Sequence, residues 1–175
     1  MNLNVRSQSM YDPRAVQPMR DELNRVGVRD LRTPEDVDEA VKQKGTTLLI
    51  INSVCGCAAG GARPGVMVAL QNKLIPDHLT AVFAGMERDA VERARSYFKG
   101  YQPSSPCIAL LKDGEVATMV QRHDIEGQSP ERIAKVLVEA FDKHCTRQGP
   151  SISKEEFAKI VPVHACGSSI PRRTP

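Results

Sequence analysis

Short apolar runs and segments of helical periodicity alternate along most of this chain. The run at 48–51 is uninterrupted and is typical of a strand buried on both faces, and 79–83 and 107–111 show similar runs. The dipeptide Asp113-Gly114 predicts a tight turn, after which 116–120 returns as an antiparallel strand. Apolar residues at helical spacing, often opened by a capping residue and a proline, predict helices at 12–26, 33–44, 58–74, 87–98 and 129–141.

The order of these elements predicts an α/β protein. Parallel strands joined by helices come first, and an antiparallel hairpin and a last helix follow them. Such an order builds a mixed central sheet with helices on both faces. We therefore expect a three-layer α/β/α fold.

Two cysteines separated by one residue, Cys55 and Cys57, lie where the central predicted strand gives way to a helix. Unpaired N–H groups and the dipole at a helix start stabilise a thiolate. The pattern therefore predicts thiol–disulfide exchange, with Cys55 as the more acidic and more exposed thiol. Gly56 permits the bend that a bridge across one residue requires, and such a bridge should be strained and easily reduced.

Two other interpretations of the cysteine pair remain open. Cysteine is among the most buried residue types, so both thiols could be inert in a structural or partner-binding domain. Two thiolates at this spacing also suit a soft metal ion. The alternative function is therefore a carrier of Cu(I), zinc or an iron–sulfur cluster that uses Cys55, Cys57 and Cys107, although the pattern alone assigns no metal site.

A second chemical feature is Ser105-Pro106, which enters a later predicted strand. Together with the cysteine pair and the element order, it resembles the arrangement of thioredoxin-like proteins. That resemblance implies a cis-proline at Pro106 beside Cys55, although most X–Pro bonds are trans.

Further motifs make the resemblance more specific. They are Asn52-Ser53-Val54-Cys55-Gly56-Cys57-Ala58-Ala59-Gly60, Pro76-Asp77-His78-Leu79, Val82-Phe83-Ala84-Gly85, Ser104-Ser105-Pro106 and Arg122-His123-Asp124-Ile125-Glu126-Gly127. With them, the sequence from 11 to 145 resembles the bacilliredoxin family of small bacterial thioredoxin-like proteins.

The resemblance implies that Cys55 is the attacking thiol and Cys57 its partner. It implies an oxidoreductase that removes a low-molecular-weight thiol such as bacillithiol from mixed disulfides on client proteins, and that also acts as a disulfide isomerase. It implies no cofactor apart from that thiol as co-substrate.

Two features depart from the family pattern. Cys107 follows Pro106 where a small or hydroxyl residue is usual, and it would add a third thiol near the pair. The chain also continues beyond Cys145, which we interpret as incidental or intermolecular. We expect a thioredoxin-like domain at 1–145 and a C-terminal tail at 146–175, where Cys166 is a candidate resolving thiol although tails are usually passive.

Two further charged residues lie close to these motifs. The predicted loop at 122–127 should lie near Cys55, because the relevant strand ends share one edge of the sheet. There His123 would take a proton from a thiol or stabilise a thiolate, but we favour a hydrogen bond to the loop backbone. We expect Arg63 to be a surface charge.

Charge balance, apolar runs and cysteine count indicate which partners and which cellular compartment to expect. The 175 residues include 24 basic and 21 acidic side chains, so neither nucleic acid nor a membrane surface is indicated. No apolar run suits a signal peptide or a membrane span. We expect a cytoplasmic protein, in which five cysteines, an odd number, favour reactive thiols over a disulfide framework.

Overall fold

A mixed sheet lies at the centre of the computed structural model, which describes residues 9–163, 170 and 172. Its strands are β1 (Arg29–Asp30), β2 (Thr46–Asn52), β4 (His78–Phe83), β5 (Cys107–Lys112) and β6 (Glu115–Val120). They stand in the order β1-β4-β2-β5-β6. Strands β1, β4 and β2 are parallel to one another, β5 is antiparallel to β2, and β6 is antiparallel to β5. A separate antiparallel ribbon pairs β3 (Leu74–Ile75) with β7 (Arg147–Gln148).

Helices cover both faces of this sheet. Three of them start at the predicted capping residues, since the side chains of Asp12, Thr33 and Ser129 each accept a hydrogen bond from the first turn. The helices are α1 (Pro13–Asn24), α2 (Pro34–Lys42), α3 (Arg63–Ala69), α4 (Arg88–Ser96), α5 (Arg122–Ile125), α6 (Pro130–His144) and α7 (Lys154–Ala158).

The central strand β2 shows how the layers form. All of its residues are buried, and alternate side chains point to opposite faces of the sheet. Leu48 and Ile50 pack in a cluster with α3 and α6, whereas Leu49 and Ile51 pack with α2 and α4. The predicted α/β/α thioredoxin-like fold with a mixed central sheet is therefore confirmed.

The segment after the cysteines differs from the single helix predicted at 58–74. It begins as a π-helical turn, Ala58–Ala62, becomes α-helical at Arg63 and ends at Ala69. Pro64 lies in the first turn of α3, where its missing N–H is tolerated. Leu74 and Ile75 instead form β3, because they pair with a strand far along the chain.

Residues beyond 145 contact the rest of the molecule. Besides forming β7 and α7, the tail places Ile170 in a cluster with Val16 and Val54, and Arg172 forms a β-bridge with Tyr11. The division at 145 stays a prediction. Of the helices in the described part of the chain, none is long and apolar enough to cross a membrane.

Candidate active site

The thiols lie on the turn that joins β2 to the π-helical turn. The Cys55 carbonyl accepts hydrogen bonds from the N–H groups of Ala58 and Ala59 at 3.0 and 3.2 Å, so the turn is closed by the start of the helix. Cys55 and Cys57 are free, half-buried thiols whose sulfurs lie 2.8 Å apart. The pair is therefore in position for either sulfur to share a proton with the other.

Several donors surround the Cys55 sulfur. Burial raises the pKa of Cys55, but the Cys57 thiol, the Ser53 hydroxyl and the N–H groups of Ala58 and Cys57 together lower that pKa below its usual value. The prediction that Cys55 is the more acidic thiol is confirmed. The prediction that it is the more exposed one stays a prediction, because both side chains are partly exposed.

Cys57 has the opposite character. Burial, together with its hydrogen bond to Cys55 and the negative charge of the Cys55 thiolate, raises the pKa of Cys57 to about 11. The positive charge of Arg122 acts in the other direction. Of the two thiols, Cys55 therefore ionises the more readily, and the raised pKa of Cys57 keeps that thiol protonated at neutral pH.

A cis-proline segment lies beside this turn. The Ser105–Pro106 peptide bond is cis, as predicted. Cys107 pairs with Ile51 across the antiparallel strands, which brings Pro106 alongside the chain that leaves β2. Arg122 joins this segment, because its backbone N–H donates to Ser104 Oγ at 3.4 Å and its Nη1 donates to the Ser105 carbonyl at 3.5 Å.

Comparison with known proteins agrees with this geometry. A family model described as disulphide isomerase matches residues 11–145. A bacilliredoxin of Halalkalibacterium halodurans is 51% identical over 131 residues, which cover 75% of this chain and 90% of that protein. A Staphylococcus aureus bacilliredoxin is 48% identical over 136 residues, covering 78% of this chain and 94% of that protein. This chain belongs to the bacilliredoxin family.

Of the two basic side chains in the 122–127 segment, Arg122 is the one that contacts the cis-proline segment. Its positive charge opposes the rise in the pKa of Cys57. His123 is 73% exposed and pairs with Asp124 at 3.3 Å, and within the described residues its ring makes no hydrogen bond to either sulfur. The segment is the short helix α5 rather than a loop. The supporting role of His123 stays a prediction, and so does that of Gly56.

Arg63 is buried, so the prediction that it is a surface charge is wrong. Its side chain is 1% exposed, and Nε donates to Glu22 Oε2 at 2.7 Å. Nη1 donates to the Ser53 carbonyl and to Asn52 Oδ1. Sequence reasoning missed this contact because the partner carboxylate lies on α1, far from Arg63 in the chain.

The other two cysteines that the structure describes, Cys107 and Cys145, are buried. Cys107 is 3% exposed, and burial raises the pKa of its thiol to about 11, so it is not a ready third nucleophile. Cys145 is buried near Thr46, at the opposite end of β2 from the pair. Cys166 lies outside the described residues. Within those residues, no three His, Cys, Asp or Glu side chains form a group able to hold a metal ion.

Proposed function

We propose that this chain is an enzyme that exchanges thiols and disulfides, acting on mixed disulfides between client proteins and a low-molecular-weight thiol. The supporting observation is that the pKa values of the two cysteines are shifted in opposite directions. The pKa of Cys55 is lowered while that of Cys57 is raised to about 11, with 2.8 Å between the sulfurs. The thiolate is the attacking species in such exchange. Cys55 is therefore suited to attack the mixed disulfide, and Cys57 to attack the Cys55 sulfur afterwards. Membership of the bacilliredoxin family supports the same chemistry.

In the first step the Cys55 thiolate attacks the sulfur of the small thiol in the client's mixed disulfide. A bond forms between Cys55 and the small thiol, and the bond to the client breaks. The electron pair leaves on the client cysteine, which takes a proton from Cys57 or from water. Exchange at this stage involves no net oxidation.

The second step depends on a change in Cys57. The charge of the Cys55 thiolate is one cause of the high pKa of Cys57, and this charge disappears when Cys55 enters a disulfide. Cys57 then deprotonates more easily and attacks the Cys55 sulfur. The small thiol leaves as a thiolate, and a Cys55–Cys57 disulfide remains.

These two steps reduce the mixed disulfide by two electrons, giving the client thiol and the free small thiol, and oxidise the cysteine pair by two. A dithiol, or two equivalents of a low-molecular-weight thiol, restores the reduced pair. Where the client itself carries the wrong disulfide, Cys55 attacks it and is later displaced by another client thiol, which is isomerisation without net redox change. We propose bacillithiol or a similar thiol as the small partner, and the bacterial cytoplasm as the compartment, since thiols stay reduced there.

The test uses a model client protein that carries bacillithiol or glutathione on one cysteine. We expect the wild type to release the small thiol, Cys55→Ser to be inactive, and Cys57→Ser to stop with the small thiol bound to Cys55, as read by peptide mass spectrometry. Cys145→Ser, which removes a thiol far from the pair, serves as the control and should behave as the wild type.

Two results would contradict the proposal. One is an adduct that accumulates on Cys57 in place of Cys55. The other is stoichiometric copper, zinc or iron that Cys55→Ser loses, in a protein that performs no exchange, which would support the carrier function.

A further inference from the structure

A buried ion pair lies directly behind the turn that carries the thiols. The side chains of Arg63 and Glu22 are each 1% exposed, and Arg63 Nε donates to Glu22 Oε2 at 2.7 Å. Removing two charges from water is costly, so a buried pair is weak evidence for a contribution to stability. Arg63 Nη2 is also buried and makes no hydrogen bond to any described residue, which adds to that cost. A role at the neighbouring thiol is the better explanation of the pair.

The other contacts of Arg63 lead to Ser53. Nη1 of Arg63 donates to the Ser53 carbonyl at 3.0 Å and to Asn52 Oδ1 at 3.1 Å. Asn52 Oδ1 in turn accepts from the Ser53 N–H at 2.9 Å. Both backbone polar groups of Ser53 are therefore held, one by Arg63 directly and one by the amide that Arg63 orients.

Ser53, held in this way, makes two hydrogen bonds with Cys55. Its hydroxyl donates to Cys55 Sγ at 3.2 Å and accepts from the Cys55 N–H at 3.3 Å. The guanidinium therefore joins the Glu22 carboxylate to the Ser53 carbonyl, at the start of the thiol-bearing turn. The hydrogen bond that Ser53 donates to the Cys55 sulfur favours its thiolate.

We propose that Arg63 is a positioning residue for Cys55, whose guanidinium holds Ser53 so that the Ser53 hydroxyl donates to the Cys55 sulfur. Glu22 is the counterion that holds the guanidinium, and its second oxygen accepts from the Val163 N–H at 3.0 Å. The inference rests on the proposed function, in which Cys55 is the attacking thiol. Arginine is required because one planar fork binds Glu22, Asn52 and Ser53 together, and a lysine ammonium lacks that geometry.

The test is the pH dependence of Cys55 alkylation in the double variant Glu22→Gln/Arg63→Met. This variant keeps the net charge of the chain and an acceptor for Val163, but it removes the fork. We expect the midpoint of alkylation to rise by about one pH unit, which leaves about tenfold less thiolate at pH values well below the midpoint. Peptide mass spectrometry assigns the adduct to Cys55.

The matched control is Arg20→Met/Glu87→Gln. It removes another buried arginine and its carboxylate partner, joined at 2.6 Å, and among the described residues Arg20 makes no hydrogen bond to 52–57. We expect this control to lower the thermal unfolding temperature but to leave the alkylation midpoint at its wild-type value.

An unchanged midpoint in Glu22→Gln/Arg63→Met, or equal shifts in both double variants, would overturn the proposal. If that double variant does not fold, the alkylation midpoint of Arg63→Lys tests the proposal instead, because this variant keeps the charge opposite Glu22 and loses only the fork. A midpoint that stays at the wild-type value would overturn the proposal. Alkylation needs neither a client nor a small thiol. A failure of the inference therefore leaves the exchange chemistry standing, whereas a raised midpoint in a protein without exchange activity would contradict the proposed function alone.

Discussion

The Ser53 hydroxyl makes two hydrogen bonds with Cys55. It donates one to the Cys55 sulfur and accepts the other from the Cys55 N–H. Cys57 adds a thiol at 2.8 Å. These neighbours distinguish two otherwise similar cysteines, because the donors outweigh the effect of burial at Cys55 and not at Cys57. At the residue scale, these contacts are thus what makes the two thiols differ in acidity.

Replacing Ser53 by Ala should raise the pKa of Cys55. A hydrogen bond to a charged group contributes about 1.5–3 kcal/mol, so we expect the pKa to rise by about 1–2. Since only the thiolate attacks, the wild-type exchange rate should increase with pH and level off once Cys55 is deprotonated, and Ser53→Ala should move that rise to higher pH. Stopped-flow exchange rates between pH 5 and 10 measure it, with Ser53→Thr, which keeps the hydroxyl, as control. A profile that does not move would show that Ser53 leaves the thiolate unaffected.

The reduction potential of the pair should be oxidising, at about −120 to −180 mV compared with about −270 mV for thioredoxin. A bridge across one residue is expected to be strained, and a lowered pKa of Cys55 stabilises the reduced form. Equilibration against glutathione redox buffers, read by thiol trapping, gives the value. A potential at or below that of thioredoxin would favour general disulfide reduction over exchange with a small thiol.

At the scale of elements, the site depends on how closely α3 packs against α6. Gly65 makes this approach possible, since a Cβ atom built there would lie 2.8 Å from Ile133 Cγ2 and 3.2 Å from the Pro130 carbonyl oxygen. The same helix carries Arg63, so its placement against α6 also places the guanidinium behind the thiols. A shift of α3 should therefore affect both stability and the site.

We expect Gly65→Ala to lower the free energy of unfolding by about 1–3 kcal/mol, because the new methyl group overfills a packed contact with the stiff Ile133 side chain. Gly60→Ala is the matched control, since a Cβ at Gly60 would have no neighbour within 4 Å. It should be neutral or stabilising by up to about 1 kcal/mol, because alanine loses less backbone entropy. Urea unfolding of both variants measures the difference. Equal effects at the two positions would contradict the close contact between α3 and α6.

At the scale of the whole molecule, the C-terminal tail contributes to the region around the site. The Val163 N–H donates a hydrogen bond to the Glu22 carboxylate, and Ile170 packs with Val16, Val54 and neighbouring apolar side chains. Val54 immediately precedes Cys55 in the chain. The tail is therefore part of the packing that supports the thiol-bearing turn.

Ile170→Ala should destabilise the protein by about 2 kcal/mol, at the lower end of the range for buried isoleucine, since Ile170 is 7% exposed at the edge of its cluster. For a chain of this size we expect the unfolding temperature to fall by about 4–8 °C. Val161→Ala, at a side chain that is 73% exposed, is the control and should change little. Scanning calorimetry compares them. If Ile170→Ala unfolds at the wild-type temperature, the tail does not pack in solution as it does in the structure.

The sequence by itself determined most of the fold and the location of the thiol pair. The caps at Asp12, Thr33 and Ser129, the apolar run that became β2 and the hairpin turn at Asp113-Gly114 are all local signals. Each acts through neighbours within a few positions, so a single sequence suffices to find it. The cis-proline followed from the resemblance to thioredoxin-like proteins, and the structure confirms it.

Only the tertiary structure decided the burial of Arg63, the particular donors that set the thiol pKa values and the packing of the tail. Glu22 lies 41 positions before Arg63, and Val163 lies 141 positions after Glu22. No periodicity or spacing connects residues so far apart. Their contacts exist because the sheet and its helices bring them together. A buried charge must then find a partner, and the pKa of a sulfur depends on the donors around it.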